Sequence, residues 1–308
     1  MATTPVVLCG RVSFAHIRSR HASTEAAIPM TRSTIVAGES TGQVDALSLA
    51  RLVEFTEGEA YAEQLRVAPP EWRCSAERTE LGWCLFAPTL DFVLFNRIVG
   101  CGLGSPATRS GLRDALARYR AAGLRRFGVQ LAPAGEPAEL SQWLAEEGLT
   151  KRDNWAKVYR GNGVVTEVQT DLRIEPASKR DANAVGTIAS DAFAMPVQLA
   201  PWIGSLVGRQ NWYHYLAWDR STPVAVAALF VHGEVGWLGI AGTLATARRR
   251  GAQSALMARR ISDGISLGCR WLVTETGEDL PTKPNPSFHN MLRAGFKVAY
   301  QRPNYLAS

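Results

Sequence analysis

The sequence predicts an α/β (α+β) protein built from two tandem copies of one α/β unit. Three observations lead to this fold class. Apolar runs of strand length alternate with helical patterns that end at glycines. The chain has 308 residues, which suits two domains of about 150 residues each. The two halves of the chain also repeat one order of helix, glycine and strand.

Two pairs of matching segments carry this repeat. Residues 122–130 resemble residues 267–274, since both contain a helix end, a glycine, basic residues and then a strand pattern. Residues 143–149 resemble residues 290–296, since both are helical and end in a glycine followed by an apolar residue. The spacing indicates a diverged tandem repeat of about 145 residues per unit.

Composition is that of an ordinary globular chain, with 46% apolar and 20% charged residues. No apolar run reaches the ~20 residues of a membrane helix, and residues 5–9 are too short for a signal-peptide core. We therefore expect a cytoplasmic protein. The five cysteines form no C-x-x-C pair, which favours buried thiols over a zinc site or a disulfide framework. The net charge of +6, with one dense arginine cluster at 248–250, favours a local anion site.

The first half is predicted to be a domain over residues 31–163. It follows an extension over 1–30 that we expect to be poorly ordered, with Met30 as an alternative start. A helical pattern covers 44–65, and Gly58 weakens its middle, so two shorter helices are an alternative. Strands are predicted at 80–86, 91–99, 127–131 and 155–159, and helices at 109–122 and 137–147.

Residues 161–170 predict a linker, so the second domain is predicted over 170–308. Its strands are predicted at 172–175, 212–218, 224–231, 235–241, 271–275 and from 296, and its helices at 179–194, 199–207, 251–267 and up to 294. In the helix that follows Gly251, the apolar face is predicted to hold Met257, Ala258, Ile261 and Ile265, and the solvent face Arg259, Arg260 and Asp263.

The stretch from Thr243 to Leu256 carries the strongest functional signal. An apolar run leads into it, a helix leads out, and three arginines (248–250) stand just before Gly251. The first turn of a helix has free backbone N–H groups and about half a positive charge, and a glycine there lets a ligand approach closely. We therefore expect a phosphate-bearing ligand here. The alternative is a solvated basic loop.

Residues 170–305 resemble the GNAT superfamily, the general N-acetyltransferases that use acetyl-coenzyme A. The family motif Arg/Gln-x-x-Gly-x-Gly/Ala is matched at Arg248 and Gly251, while Gln253 stands where Gly or Ala is usual. Residues 285–296 resemble the family's later helix, which ends in Gly-Phe. The resemblance is faint over 80–160, where the arginine-glycine loop is absent. It therefore implies two tandem GNAT-like domains, each a mixed, mostly antiparallel sheet flanked by helices, with a degenerate N-terminal copy.

The resemblance further implies that the protein binds acetyl-CoA as a cosubstrate and needs no metal. The basic loop would hold the pyrophosphate, and the backbone of a splayed strand would hold the pantetheine arm and the thioester oxygen. The expected cofactor-binding residues are Thr243, Leu244, Arg248, Arg249, Arg250, Gly251, Ala252, Gln253, Ser254 and Asn285.

The catalytic group is less defined by the sequence. Glu275, at the carboxyl end of its strand, is the candidate general base, and Glu278 is a second plausible base; both could instead be solvated loop carboxylates. Met291 stands where family members often have a tyrosine that acts as the general acid, and neither Tyr300 nor Tyr305 can be assigned to that role. The lone histidines form no Ser-His-Asp or metal arrangement.

The predicted function is N-acetyl transfer from acetyl-CoA to a primary amine, by direct attack, on a small-molecule or peptide substrate. A non-catalytic acyl-CoA sensor or partner-binding protein is the alternative, suggested by Gln253 and Met291. Nucleic-acid binding through the arginines is a third possibility, although no recognition motif surrounds them and we expect neither a nucleic-acid nor a membrane partner.

Overall fold

The computed structural model describes residues 44–307. The predictions for the extension over 1–30, including Met30 and Cys9, lie outside this range. The first half contributes α1 (Ala46–Arg66), β1 (Ser75–Thr79), β2 (Gly82–Phe86), β3 (Arg97–Val99), α2 (Arg109–Ala121), β4 (Gly128–Gln130), α3 (Leu140–Glu146) and β5 (Leu149–Gly161). The second half contributes β6 (Arg173–Pro176), α4 (Ala182–Ala192), α5 (Ala200–Gly204), β7 (Trp212–Asp219), β8 (Thr222–His232), β9 (Val235–Thr243), α6 (Ala252–Ser266), β10 (Trp271–Gly277), α7 (Pro286–Arg293) and β11 (Lys297–Ala307). No helix in the described range is long and apolar enough to cross a membrane.

Helix α1 is continuous, and the alternative of two shorter helices is wrong. Asp45 caps its N-terminus, where the carboxylate accepts a hydrogen bond from the Ser48 N–H at 2.9 Å. Gly58 packs against the indole of Trp83, where a Cβ would lie 2.1 Å from the ring. This close packing of the helix on the sheet offsets the low helix propensity of glycine, which costs about 1 kcal/mol.

Two strand predictions in the first half have the wrong extent. The strand predicted at 80–86 is the second arm of the β1–β2 hairpin. The strand predicted at 91–99 forms only at Arg97–Val99, because a 3₁₀ turn at Val93–Phe95 precedes it. The buried side chain of Asn96 holds this turn by accepting from the Ala87 N–H at 2.8 Å and donating to the Leu90 carbonyl at 2.5 Å. The periodicity of apolar residues does not indicate these hydrogen bonds of the Asn96 side chain.

The eleven strands of the described residues form one sheet, in the order β1-β2-β3-β4-β11-β5-β10-β9-β8-β7-β6. The pairs β3–β4 and β9–β10 are parallel, and all other neighbours are antiparallel. This mixed, mostly antiparallel sheet flanked by helices confirms the predicted fold class.

The two halves exchange their last strands. β5, from the first half, lies between β10 and β11, and β11, from the second half, lies between β4 and β5. Val158 of β5 thus pairs with Thr274 on one side and with Val298 on the other. Residues 44–307 belong to one compact unit. The predicted domain limits at 163 and 170 fall between β5 and β6 and stay a prediction.

The repeat seen in the sequence corresponds to matching elements in the two halves. The pair α2–β4 matches α6–β10, and α3–β5 matches α7–β11. A glycine with a left-handed backbone follows each of these helices, at Gly123 (φ 72°), Gly148 (φ 80°), Gly268 (φ 91°) and Gly295 (φ 82°). Other residues would be strained in this conformation, so the glycines end the helices where the sequence predicted.

Helices cover both faces of the sheet. On one face α1, α4 and α5 bury an aromatic core that includes Trp83, Trp202 and Trp237. On the other face α6 and α7 cover strands of the second half, while α2 and α3 cover strands of the first. Helix α1 packs on β1–β3 and also on β8–β10, so it spans strands of both halves.

Candidate active site

The candidate site begins where β9 and β10 separate. The two strands pair only from Val235–Trp237 to Trp271–Val273. Beyond that point β9 stays paired with β8 as far as Thr243, while β10 stays paired with β5 as far as Gly277. One edge of β9 is therefore open toward β10, as the GNAT resemblance implied for a splayed strand. Such an edge offers backbone N–H and C=O groups to a ligand.

A bulge bends β9 at this opening. Val226 of β8 pairs with Gly242 and Ala228 with Gly239, so β9 holds one extra residue between them. Ile240, in the bulge, has a left-handed backbone with a φ of 48°. A β-branched residue rarely adopts this conformation without support from its surroundings.

That support comes from Arg260 of α6. Its guanidinium donates to the carbonyls of Ala228 at 3.1 Å and Gly239 at 3.4 Å, and its Nε donates to Leu256 at 3.1 Å. Arg260 is 2% exposed, so its predicted position on the solvent face is wrong. Burial lowers the pKa of the guanidinium to about 10, so it remains charged at neutral pH.

The loop from β9 to α6 forms a cradle of backbone groups. Arg249 and Gly251 both have left-handed backbones, with φ of 64° and 82°. A Cβ on Gly251 would lie 3.2 Å from the Gln169 carbonyl, which leaves little room for a larger residue. The Thr170 hydroxyl donates to the Arg250 carbonyl at 2.7 Å and ties the loop to the segment before β6. The first N–H groups of α6 begin directly after Gly251.

A cavity of about 540 Å³ opens beside this loop. Seven of the ten predicted cofactor-binding residues line it: Thr243, Arg248, Arg249, Gly251, Ala252, Gln253 and Ser254. Its other walls include Ala192 of α4, Val226 of β8, and Pro286 and Asn290 of α7, which the sequence did not single out. The cavity thus combines two exposed arginines, a helix N-terminus and an open strand edge, a combination that suits an elongated anionic ligand.

Three predicted residues have other contacts. Arg250 forms ion pairs with Asp171 and Asp219. The hydrogen bonds that its guanidinium donates to these two carboxylates raise the pKa of Arg250 and lower the pKa of both carboxyl groups. Arg250 therefore anchors the loop. Asn285 caps α7, where its side chain accepts from the N–H groups of Ser287 and Phe288. The Leu244 N–H donates to the Val224 carbonyl at 2.9 Å and is used in strand pairing.

Gln253, which departs from the family motif, connects α6 to α7. Its amide donates to the Ser287 hydroxyl at 2.6 Å and accepts from the Asn290 amide at 2.6 Å. A Gly or Ala at this position could make neither bond. Met291, one residue further along α7, is buried in the apolar core and does not line the cavity.

In the first half, the chain itself fills the matching place between β3 and α2. The Gly102 carbonyl accepts from the Glu136 N–H at 3.1 Å, and the Ala107 N–H donates to the Glu136 carbonyl at 2.8 Å. A Cβ on Gly102 would lie 2.3 Å from that carbonyl oxygen. Leu103 is also buried there, and its carbonyl accepts from Arg51 at 2.7 Å. The glycines of 100–104 thus serve packing within the chain.

The candidate base, Glu275, lies on β10 just past the separation of the strands. Its Oε2 accepts from the Trp237 indole N–H at 3.1 Å and from the Lys157 ammonium at 3.0 Å. Its side chain is 10% exposed. The second candidate, Glu278, accepts hydrogen bonds from the backbone and side chain of Asn154. A lysine inside the apolar run 155–159 is the sequence signal that could have pointed to Lys157.

Neither Glu275 nor Glu278 is among the residues that line the cavity, and the remaining candidates do not line it either. The Tyr300 hydroxyl donates to Glu54 at 2.7 Å, and Tyr305 packs in the core of the first half. His289 pairs with Asp279 at 3.2 Å. Cys84, Cys101 and Cys269 are buried and Cys74 is half-buried, as predicted for structural thiols. The described residues contain no group of three or more His, Cys, Asp or Glu placed to hold a metal.

Solved structures of GNAT proteins share this fold. A tandem GNAT protein from the clavulanic acid biosynthesis pathway, determined without AcCoA, has a TM-score of 0.55 at 13% identity, covering 84% of this chain and 92% of its own. A GCN5-related N-acetyltransferase from Kribbella flavida has a TM-score of 0.52 at 20% identity, covering 70% and 81%. A GCN5-related N-acetyltransferase from Sphaerobacter thermophilus has a TM-score of 0.51 at 14% identity, covering 64% and 65%.

These likenesses confirm at the level of the fold the GNAT resemblance drawn from the sequence, including its tandem form. No protein-family model matches the sequence, and no curated protein matches it either.

Proposed function

We propose that the chain is an acetyl-CoA-dependent N-acetyltransferase with one cofactor site, in the second half. One observation carries this proposal: the cavity beside the Arg248–Gly251 loop is also lined by Ala241, Gly242 and Thr243, the part of β9 that lies past its pairing with β10. Arg248 and Arg249 would neutralise the pyrophosphate, and the N–H groups of Ala252, Gln253 and Ser254 would donate to it. The lack of a Cβ at Gly251 fits this close approach.

The chemistry that suits this site is direct acyl transfer. The amine nitrogen forms a bond to the thioester carbonyl carbon, the carbon–sulfur bond breaks, and the thiolate leaves with the coenzyme. The backbone N–H groups on the open edge of β9 would stabilise the negatively charged oxygen of the tetrahedral intermediate. Glu275 would accept the proton that the amine loses.

Calorimetric titration with acetyl-CoA tests the cofactor site. We expect 1:1 binding, weakened about tenfold or more in Arg248→Ala and abolished in Gly251→Asp, because the added carboxylate repels phosphate and needs space that Gly251 leaves open. Arg270→Ala is a matched control, since Arg270 is exposed and its side chain pairs with Glu234 at the surface. Equal affinity in all four proteins, or no binding at millimolar ligand, contradicts the proposal.

A non-catalytic acyl-CoA sensor is the second candidate. The bonds of Gln253 to α7 and the buried Met291 favour it, because the family usually has Gly or Ala in place of Gln253 and often a tyrosine in place of Met291. Release of free thiol from acetyl-CoA, measured with triglycine, spermidine, kanamycin and tyramine, separates the two candidates. Turnover with any of these amines rules out the sensor, while tight binding without turnover favours it. The acceptor, either a small-molecule amine or a peptide, and the cytoplasmic location are part of the same proposal.

A further inference from the structure

A network of buried charged side chains, which includes Glu275, joins the two halves. Its three carboxylates and three cations balance in charge, and five of the six side chains are fully buried. The members are Glu54 and Glu57 of α1, Arg97 of β3, Lys157 of β5, Glu275 of β10 and Arg302 of β11. Glu275 is the sixth member and the one that reaches solvent, with its side chain 10% exposed.

Lys157 links Glu275 to the other members of this network. Its ammonium donates to Glu57 Oε2 at 2.5 Å and to Glu275 Oε2 at 3.0 Å. Arg97 donates to Oε1 of Glu57, and Arg302 donates to both of its carboxylate oxygens. Burial would raise the pKa of Glu57, but the charges of Arg302, Lys157 and Arg97 outweigh it and hold that pKa well below its usual range. Glu57 therefore stays ionised and fixes the ammonium of Lys157 in place.

The hydrogen bonds of Glu275 leave one of its oxygens free. The bonds from Lys157 and from the Trp237 indole both fall on Oε2, and Oε1 accepts none from the described residues. Both donors point from fixed positions, since Lys157 is fully buried and Trp237 is 2% exposed. The carboxylate is thus held in one orientation at the place where β9 and β10 separate.

Stability alone does not explain such a network. Desolvating six charges costs several kcal/mol per ion, and apolar side chains of similar volume often serve a core as well or better. A fixed orientation is what the ion pairs add, and a misplaced catalytic group can cost about 100-fold in rate. Since Lys157 and Glu57 come from the first half, the half without a cofactor cavity at the matching place contributes to the site of the other.

We propose that Lys157 and Glu57 are positioning residues that hold Glu275 for acetyl transfer, an inference that rests on the proposed function. Glu275 Oε1 takes the proton from the amine as the nitrogen–carbon bond forms and the carbon–sulfur bond breaks. Lys157 takes no part in the proton transfer and fixes the orientation of the carboxylate through its hydrogen bond to Oε2. Glu57 acts through Lys157 and does not contact the substrate.

A double-mutant cycle on the full chain tests this. The probe is acetyl-CoA with whichever of triglycine, spermidine, kanamycin and tyramine the unaltered protein acetylates fastest. Lys157→Met is expected to lower kcat about 10- to 100-fold while the Kd for acetyl-CoA changes less than twofold. In the Glu275→Gln background, Lys157→Met should lower kcat no further, because its effect passes through Glu275.

The double variant also guards against misfolding, because it removes one positive and one negative charge and leaves the network balanced. Tyr300→Phe is the matched control: it removes a partly buried hydrogen bond to Glu54 at the far end of the network without changing the charge, and kcat should stay within about twofold.

Two results overturn the positioning role. One is an unchanged kcat in folded Lys157→Met, and the other is an equal loss in both backgrounds. Absence of turnover in the unaltered protein overturns the proposed function, and this inference with it.

Discussion

At the scale of single residues, His214 makes a testable contribution to stability. It lies buried in the aromatic core, stacked on Trp212 with ring centroids 5.6 Å apart. Both ring nitrogens lack a hydrogen-bond partner among the described residues. Burial without a counter-charge lowers its pKa to about 4 from the ordinary value of 6.5. The folded protein therefore holds His214 neutral, while the unfolded chain protonates it near pH 6.5.

The free energy of unfolding should accordingly fall as the pH drops from 6.5 toward 4. The depressed pKa means that the unfolded state binds more protons in this window, and the slope approaches about 1.4 kcal/mol per pH unit. Urea denaturation at pH 7, 6 and 5 measures it. His214→Leu, similar in volume and unable to titrate, should flatten the dependence. Parallel losses of stability in both proteins would show that His214 is not its source.

Some residues of the candidate site could be found from the sequence because their spacing along the chain is also their spacing in the site. Arg248, Gly251 and Ser254 lie within one turn and one helix N-terminus, so one local pattern places all of them at the cavity. The role of Arg250 was hidden, because Asp171 and Asp219 come from distant segments. Arg260 was predicted on the solvent face because nothing in its sequence neighbours shows that the carbonyls of Ala228 and Gly239, beside the bulge, accept from a buried donor.

At the scale of elements, the bulge in β9 gives the open strand edge its shape. The Arg260 guanidinium donates to the carbonyls of Ala228 and Gly239, the strand pair at one end of the bulge, and Ile240 keeps its left-handed backbone within the bulge. Propensity predicted the strand but not the bulge, because an inserted residue leaves no mark in an apolar run. The separation from β10 was expected only through the GNAT resemblance.

Arg260→Met should therefore weaken acetyl-CoA binding more than it weakens the fold. The methionine fills similar volume, and removing a buried charge offsets part of the cost of losing its bonds, so we expect a loss of about 1–3 kcal/mol in stability. We expect the relaxed bulge to raise the Kd for acetyl-CoA about tenfold or more, since each lost backbone contact costs about 1.4 kcal/mol.

Calorimetry and thermal denaturation of the same samples measure these two effects. Arg259→Met is the matched control, because Arg259 is the neighbouring arginine on α6 and pairs with Asp263 at the partly exposed surface. Equal Kd values for both variants would mean that Arg260 supports the helix and not the bulge.

At the scale of the whole molecule, the exchange of β5 and β11 makes the halves depend on each other. The sequence predicted the repeat, because glycines and helix ends are local features. It could not predict the exchange, because an apolar strand pattern such as 155–159 does not identify the neighbours of the strand. The charge network could not be predicted for the same reason, because its members lie far apart in the sequence, from Glu54 to Arg302.

This dependence predicts that residues 164–308 do not fold alone. Without β5, the partner-facing edges of β10 and β11 would be left unpaired, and neither strand pairs with the other in the intact sheet. The fragment would also lose Lys157 and Glu57, leaving Glu275 without its ion pair.

Circular dichroism and thermal denaturation should show no cooperative transition for this fragment, and calorimetry should show no binding of acetyl-CoA. Co-expression with residues 1–163 should restore both the cooperative transition and the binding of acetyl-CoA, because the 1–163 fragment supplies β5 and α1 and pairs with β11. A monomeric 164–308 fragment that melts cooperatively and binds acetyl-CoA would show that the second half is complete without the strand it borrows.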